Sequence, residues 1–249
     1  MRILIVNPNT TASMTDTIAA AACAGAAAGT EIQAVTSAMG PDSIEGYYDE
    51  ALSVPGLLAA IREGESAGAN AAIIACFDDT GLDAARAMAA IPVIGICEAA
   101  LSLASFIARR FTVVTTAERA RIPVEDLVAR YGMAGRARVR AARIPVLALE
   151  DPNSGAVDRL RGEIVQALDE DHAEAIVLGC AGMADLAATL QREFSVPVID
   201  GVGAAVKQAE ALTALGLTTS KRGAYAFPAA KIVTGPLSGF APGEAKISA

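Results

Sequence analysis

An internal echo constrains this chain more than any other feature. Ala71-Ala72-Ile73-Ile74-Ala75-Cys76 reads like Ala175-Ile176-Val177-Leu178-Gly179-Cys180, and each copy is an apolar, strand-length run that ends in Cys. Downstream, Ile91-Pro92-Val93-Ile94 matches Val196-Pro197-Val198-Ile199, and upstream Arg2-Ile3-Leu4-Ile5-Val6 resembles Arg110-Phe111-Thr112-Val113-Val114. Apolar strands resemble one another cheaply, but matches in the same order with coincident cysteines point to a duplication. The short apolar runs alternate with Ala-rich stretches of helical length, the pattern of βαβ units around a parallel sheet. The expected fold class is therefore α/β: two similar α/β domains with parallel-sheet cores, related by pseudo-twofold symmetry, with an active site in the interdomain cleft. Strands are expected at 2–6, 31–35, 71–75, 93–95, 111–115, 139–144, 175–179 and 198–200. Residues 1–96 make the first half, completed by the C-terminal segment 208–249, and residues 97–207 make the second. After Gly216 the chain is richer in Gly, Pro, Ser and Thr, so the order of that tail stays open.

Composition narrows the function classes. At 249 residues and 53% hydrophobic the chain can bury a substantial core, which excludes a disordered scaffold. A formal net charge of -8 argues against a nucleic-acid partner or an anionic membrane surface and leaves small molecules. The apolar run after Met1 stops at Asn7-Pro8-Asn9, too short for a signal-peptide core. The stretch 99–108 is about half a membrane span and ends at Arg109-Arg110, so it reads as a buried helix. A cytoplasmic protein is expected, in which Cys23, Cys76, Cys97 and Cys180 stay thiols. The high apolar fraction favours a homo-oligomer.

Chemistry concentrates at two cysteines. In parallel α/β sheets ligands sit beyond the carboxyl ends of the strands, where Cys76 and Cys180 both stand, and pseudo-symmetry brings the two face to face. A helix begins shortly after each, and a helix N-terminus stabilises thiolate. The alternative is two buried cysteines in unrelated turns. Cys23, in an Ala-rich helix, and Cys97, at the start of another, are assigned to packing. The only histidine, His172, precedes the strand at 175–179 and lies at the wrong end for a Ser-His-Asp triad, a Cys-His pair or a histidine zinc site. Lys207, Lys221, Lys231 and Lys246 all follow Gly201, and none sits at a strand end suited to pyridoxal phosphate. No Gly-rich phosphate loop follows a strand, and the cysteines have no close metal-ligand spacing. Neither cofactor nor metal is expected. Without one, a thiolate can remove a proton from an acidified carbon while the opposite thiol returns one to the other face, which is racemisation.

At these residues the sequence resembles the aspartate/glutamate/hydantoin racemase superfamily, from Arg2 to about Leu215. Val6-Asn7-Pro8-Asn9-Thr10-Thr11, Cys76-Phe77-Asp78-Asp79-Thr80-Gly81-Leu82 and Leu178-Gly179-Cys180-Ala181-Gly182-Met183 are similar to its hydantoin and allantoin racemase branch. The resemblance implies two α/β domains with a Cys from each meeting at the cleft, so that Cys76 and Cys180 are the acid and base. It also implies a lining of Asn9, Thr10, Gly40, Pro41, Thr115 and Thr116, with Phe77, Asp78, Asp79, Thr80, Ala181 and Gly182 beside the cysteines.

Amino-acid racemases of the superfamily carry Asn-Thr after the first Cys and Thr after the second, whereas here the positions hold Phe77-Asp78 and Ala181. Asp78 and Asp79 would repel a carboxylate, while backbone N–H groups could bond the neutral carbonyls of a cyclic ureide. The reading is a racemase of 5-substituted hydantoins, with allantoin as the alternative substrate. Amino-acid racemase, maleate-isomerase-like enzyme and non-catalytic binding module stay behind it. Asp79 or Thr80 could equally cap the following helix, Thr10 the first helix, and Gly40-Pro41 could be only a turn.

Overall fold

The computed structural model describes residues 1–151 and 153–242. The first half runs β1 (Arg2–Asn7), α1 (Ala12–Gly25), β2 (Glu31–Thr36), α2 (Tyr47–Ser66), β3 (Ala71–Ile74), α3 (Leu82–Met88) and β4 (Val93–Gly95). The second runs α4 (Ile96–Ile107), β5 (Phe111–Thr115), α5 (Arg121–Arg130), β6 (Ala137–Ala141), α6 (Ala156–Asp169), β7 (Ala175–Gly179), α7 (Ala187–Phe194), β8 (Val198–Asp200) and α8 (Gly201–Ala214). Each half holds a four-stranded parallel sheet, ordered β2-β1-β3-β4 and β6-β5-β7-β8. The two orders correspond strand for strand, and the echoing sequences fall on β1/β5, β3/β7 and β4/β8.

The inner strands are apolar without a break because both faces are covered. On β1, Leu4 and Val6 pack with Leu57 and Ile61 of α2 and Leu82 and Ala85 of α3, while Ile3 and Ile5 point the other way. That second face shares one core with the other half: Ile3, Ile5 and Ile73 join Ala100, Phe111, Val113, Val177, Val202 and Ala205. The layer between the sheets uses small side chains, Ala99, Ala100 and Ala104 on α4 and Ala204, Ala205 and Ala209 on α8, all buried. The outer face of the second sheet is closed by Leu160 and Ile164 of α6 and Leu190 of α7.

Three expectations need correction. The sixth strand lies at Ala137–Ala141 rather than 139–144, because the chain turns at Arg143, whose φ is 56°. The third strand ends one residue early, at Ile74, yet Ala75 N still donates to Val6 O at 2.9 Å and carries the ladder up to Cys76. Cys23 is exposed on α1 and does not belong to the buried core, whereas Cys97 is fully buried. Among its described residues the tail beyond α8 has only two short 3₁₀ turns, Gly223–Tyr225 and Gly235–Phe240. It lies on α2 and α3: Lys221 Nζ donates to Ala87 O at 3.3 Å, and the Arg62 guanidinium stands 5.5 Å from the Phe240 ring. Residues 243–249 lie outside the described residues. No helix among the described residues is long and apolar enough to cross a membrane.

Candidate active site

In a sheet ordered β2-β1-β3-β4, the crevice opens where the strand order reverses, at the carboxyl ends of β1 and β3. The same holds for β5 and β7. One cavity lies where these two crevices meet, and it is lined by both Cys76 and Cys180. Asn9, Phe77, Asp78, Thr115, Thr116 and Ala181 line it too, as do Met14, Ile44, Ala75, Ala120, Val146 and Gly179. Its volume is about 30 Å³, room for about two water molecules. A ring substrate therefore requires the walls to part. All four cysteines are free thiols.

The loop behind Cys76 is held by one buried carboxylate. Asp79 N closes a turn on Cys76 O at 3.0 Å, and Asp79 itself has φ 46°. Its side chain accepts from Cys97 N at 2.9 Å, Glu98 N at 3.0 Å and the Tyr131 hydroxyl at 2.6 Å. Asp79 thus caps α4 rather than α3, and it ties the loop to Tyr131, the residue that follows α5 in the opposite half. The fit demands glycine at the end of β4: a Cβ on Gly95 would stand 2.2 Å from Asp79 Oδ1. Gly95→Ala should therefore destabilise the fold by about 2–4 kcal/mol, read as a lowered midpoint in urea unfolding.

Asn7 Nδ2 donates to Asn9 Oδ1 at 2.8 Å and to Thr15 Oγ1 at 3.1 Å, which fixes the loop after β1 and sets Asn9 on the cavity. Thr10 is exposed and caps nothing. Its N and Oγ1 both donate to Pro41 O, at 2.9 and 3.2 Å, so Thr10, Gly40 and Pro41 brace a neighbouring loop and do not line the cavity. Thr80 and Asp79 are also off the cavity, and Gly182 sits behind the Cys180 sulfur. The Thr80 hydroxyl is buried without an acceptor in hydrogen-bond geometry, and beside Cys76 it acts in the direction of thiolate.

Several lining residues were not anticipated. Ile44 and Val146 come from the loops after two equivalent edge strands, β2 and β6, so the same strand-end argument would have reached them. Between them runs a clasp across the cleft, in which Glu45 accepts from Arg119 Nη2 at 2.6 Å and from Val146 N at 3.1 Å. Nothing in the local sequence signals it, because the partners lie on the other half. Glu45→Gln keeps the shape but loses the ion pair, and we expect KM to change by about three- to tenfold with Tm nearly unmoved. Steady-state kinetics beside a thermal melt would separate the two.

Electrostatics distinguish the two sulfurs. Burial pushes the Cys76 thiol well above its usual range, and the Asp78 charge adds to this. Burial also raises Cys180, to about 11, opposed by the Gly182 N–H. Asp78 is pushed up to about 7 by burial and by the neighbouring Glu50 and Asp79 carboxylates. Asp79 rises to about 6 by burial, against its three donors. Among the described residues no three His, Cys, Asp or Glu side chains gather into a metal-binding group.

Known proteins resemble this chain over nearly its whole length. The Asp/Glu/Hydantoin racemase family model matches residues 3–209. The hydantoin racemase of Rhizobium meliloti is 52% identical over 94% of this chain and 98% of its own length. The hydantoin racemase of Pseudomonas sp. (strain NS671) is 49% identical over 96% of this chain and 97% of its own. Among solved structures, allantoin racemase from Klebsiella pneumoniae is 50% identical, covers 97% of this chain and 99% of that one, and superposes with a TM-score of 0.94.

Proposed function

Because the chain belongs to the Asp/Glu/hydantoin racemase family, we propose that it racemises 5-substituted hydantoins by proton transfer between Cys76, Cys180 and the ring carbon. The observation that carries this reading is that two thiols from equivalent strand ends line one cavity. The ring carbon is acidified by its adjacent carbonyl, so that losing its proton gives a stabilised enolate. One sulfur, as thiolate, removes that proton; the other, as thiol, delivers one to the opposite face, and the centre inverts. Cys180 is the resting base: a backbone N–H favours thiolate at each sulfur, but burial and the Asp78 charge oppose it more strongly at Cys76. Asn9, Thr115 and Thr116 supply polar atoms for the ureide, while Phe77 and Ala181 bound the ring. No metal or pyridoxal phosphate takes part, so exhaustive chelation leaves the rate unchanged.

A base pushed up to about 11 is mostly protonated at neutral pH. Activity is therefore lost as pH falls, and kcat/KM should climb by up to about tenfold per pH unit between about 6 and 9. A pH–rate profile that is flat across this window would remove Cys180 as the resting base.

Allantoin, a hydantoin with a ureido group at the ring carbon, is the second reading, favoured by the likeness to the Klebsiella enzyme. Chiral chromatography of enantiopure 5-alkylhydantoin and of allantoin, each incubated with the purified protein, tests both. Loss of optical purity in neither would overturn the proposal. The enzyme works in the cytoplasm, where its free thiols stay reduced, and as a homo-oligomer, supported by Tyr48, Phe106 and Ile232 standing 77%, 78% and 91% exposed.

A further inference from the structure

We propose that Asp78 resets the protonation of the cysteine pair between turnovers. The inference rests on the two-cysteine reading above, and it answers a requirement that this reading creates. Each conversion of one enantiomer leaves Cys180 as thiol and Cys76 as thiolate, the reverse of the starting state. A second molecule of the same hand cannot react until one proton has gone back.

Most of the cavity wall offers no route for it. Met14, Ile44, Phe77 and Val146 are apolar, and the cavity is only about 30 Å³. Asn9, Thr115 and Thr116 are polar but not titratable, and Asp78 is the one lining residue besides the cysteines that can hold or release a proton near neutral pH. It lines the cysteine cavity and also a second cleft, of about 310 Å³, on the outer surface between α2, α3 and α5. The residue is 9% exposed, and among the described residues no protein group is bonded to its carboxylate, whose oxygens are not wholly sealed from solvent. A carboxylate so largely buried, without protein donors, is costly to keep charged. Glu50 and Asp49 of α2 and Asp79 of its own loop face it with like charge, and Cys76 and Cys180 feel its charge from the cavity side. Across the outer cleft Tyr47 is bonded to Asp126 and Arg130 to Asp83, so the cation there is already paired. The resulting pKa of about 7 leaves both forms of Asp78 populated at neutral pH, the property a relay needs.

The step balances without a co-reactant. The Asp78 carboxyl gives its proton to the Cys76 thiolate, and the carboxylate so formed takes the proton of the Cys180 thiol. One proton has then moved between the sulfurs and Asp78 is unchanged. The outer cleft allows the carboxyl proton to exchange with solvent in the meantime.

Two rates test this, because only one needs the reset. Net conversion of a pure enantiomer at saturation requires it in every turnover. Passage of a carbon-13-labelled L-hydantoin into the D form within an unlabelled racemic pool does not, since a D molecule reacting backwards restores the pair. Asp78→Asn keeps the shape but cannot carry a proton, so the ratio of label passage to net conversion should rise at least about tenfold over the unsubstituted enzyme. Asp78→Glu should bring the ratio back towards that of the unsubstituted enzyme. If Asp78→Asn lowers both rates equally, or lowers neither, the relay is overturned and the side chain is structural. Failure of the underlying reading looks different: Cys76→Ser or Cys180→Ser would then still racemise, whatever Asp78→Asn does.

Discussion

Replacing Cys76 or Cys180 by serine is expected to lower racemisation by at least about a thousandfold, with substrate binding far less affected. Both sulfurs line the cavity, so each substitution changes a group that faces the substrate. A serine hydroxyl preserves size and hydrogen bonding but is far too weakly acidic to serve as base at neutral pH. Since burial already raises both thiols, the site has no reserve with which to ionise a weaker acid. Cys23→Ser and Cys97→Ser are the controls. Cys23 is exposed and its substitution should be close to neutral in all respects, whereas Cys97 is buried in the shared core and its loss should move stability more than rate. Alkylation should abolish activity, and bound substrate should protect against it. Kinetics of the four variants, with titration calorimetry for binding, provide the comparison.

The second large effect is expected at a residue that does not reach the cavity. Asp79→Ala removes the acceptor for two N–H groups of α4 and for the Tyr131 hydroxyl, all of which it now satisfies. Losing a helix cap costs about 1 kcal/mol and each stranded buried donor about 1–3 kcal/mol. The sum, reduced by relaxation, is about 3–5 kcal/mol, or roughly 6–20 °C in Tm. Because the same carboxylate pins the turn at Cys76, kcat should fall as well, by about ten- to a hundredfold measured below the melting range. Tyr131→Phe removes one of the three bonds and should give a fraction of both effects. The pH dependence has a definite sign. Asp79 binds its proton more tightly folded than unfolded, with a folded value of about 6, so its contribution to stability is full at low pH and declines as pH rises through that value.

How much of this was legible in the sequence depends on whether a feature is local. Strands β1, β3, β5 and β7 read clearly because burial on both faces makes them continuously apolar, and the duplicated order placed Cys76 and Cys180 at equivalent ends. Strand β6 did not, since it is an edge strand carrying Arg138 and Arg140, while the more apolar residues after Ala141 belong to the loop that supplies Val146. The family resemblance implied Asn9, Thr115 and Thr116 at the cleft and Phe77, Asp78 and Ala181 beside the cysteines, and all six line the cavity. It could not say which way Asp79 and Thr80 turn, because the positive φ at Asp79 and the glycine at position 95 decide that together. The Glu45 clasp was not legible, and the caps considered for Thr10 and for Asp79 or Thr80 on the following helix are not made, on the same ground: their partners are set by packing between distant segments.

The most direct test of the two-cysteine account is proton NMR in D2O on separate D- and L-5-substituted hydantoins with each single cysteine variant. A lone sulfur on one face can still remove a proton and return a deuteron to the same face. Cys76→Ser and Cys180→Ser should therefore each exchange one enantiomer with retained configuration, and the two should choose opposite enantiomers. If both variants exchange the same enantiomer, or if either racemises at the rate of the unsubstituted enzyme, the assignment of one cysteine to each face is contradicted.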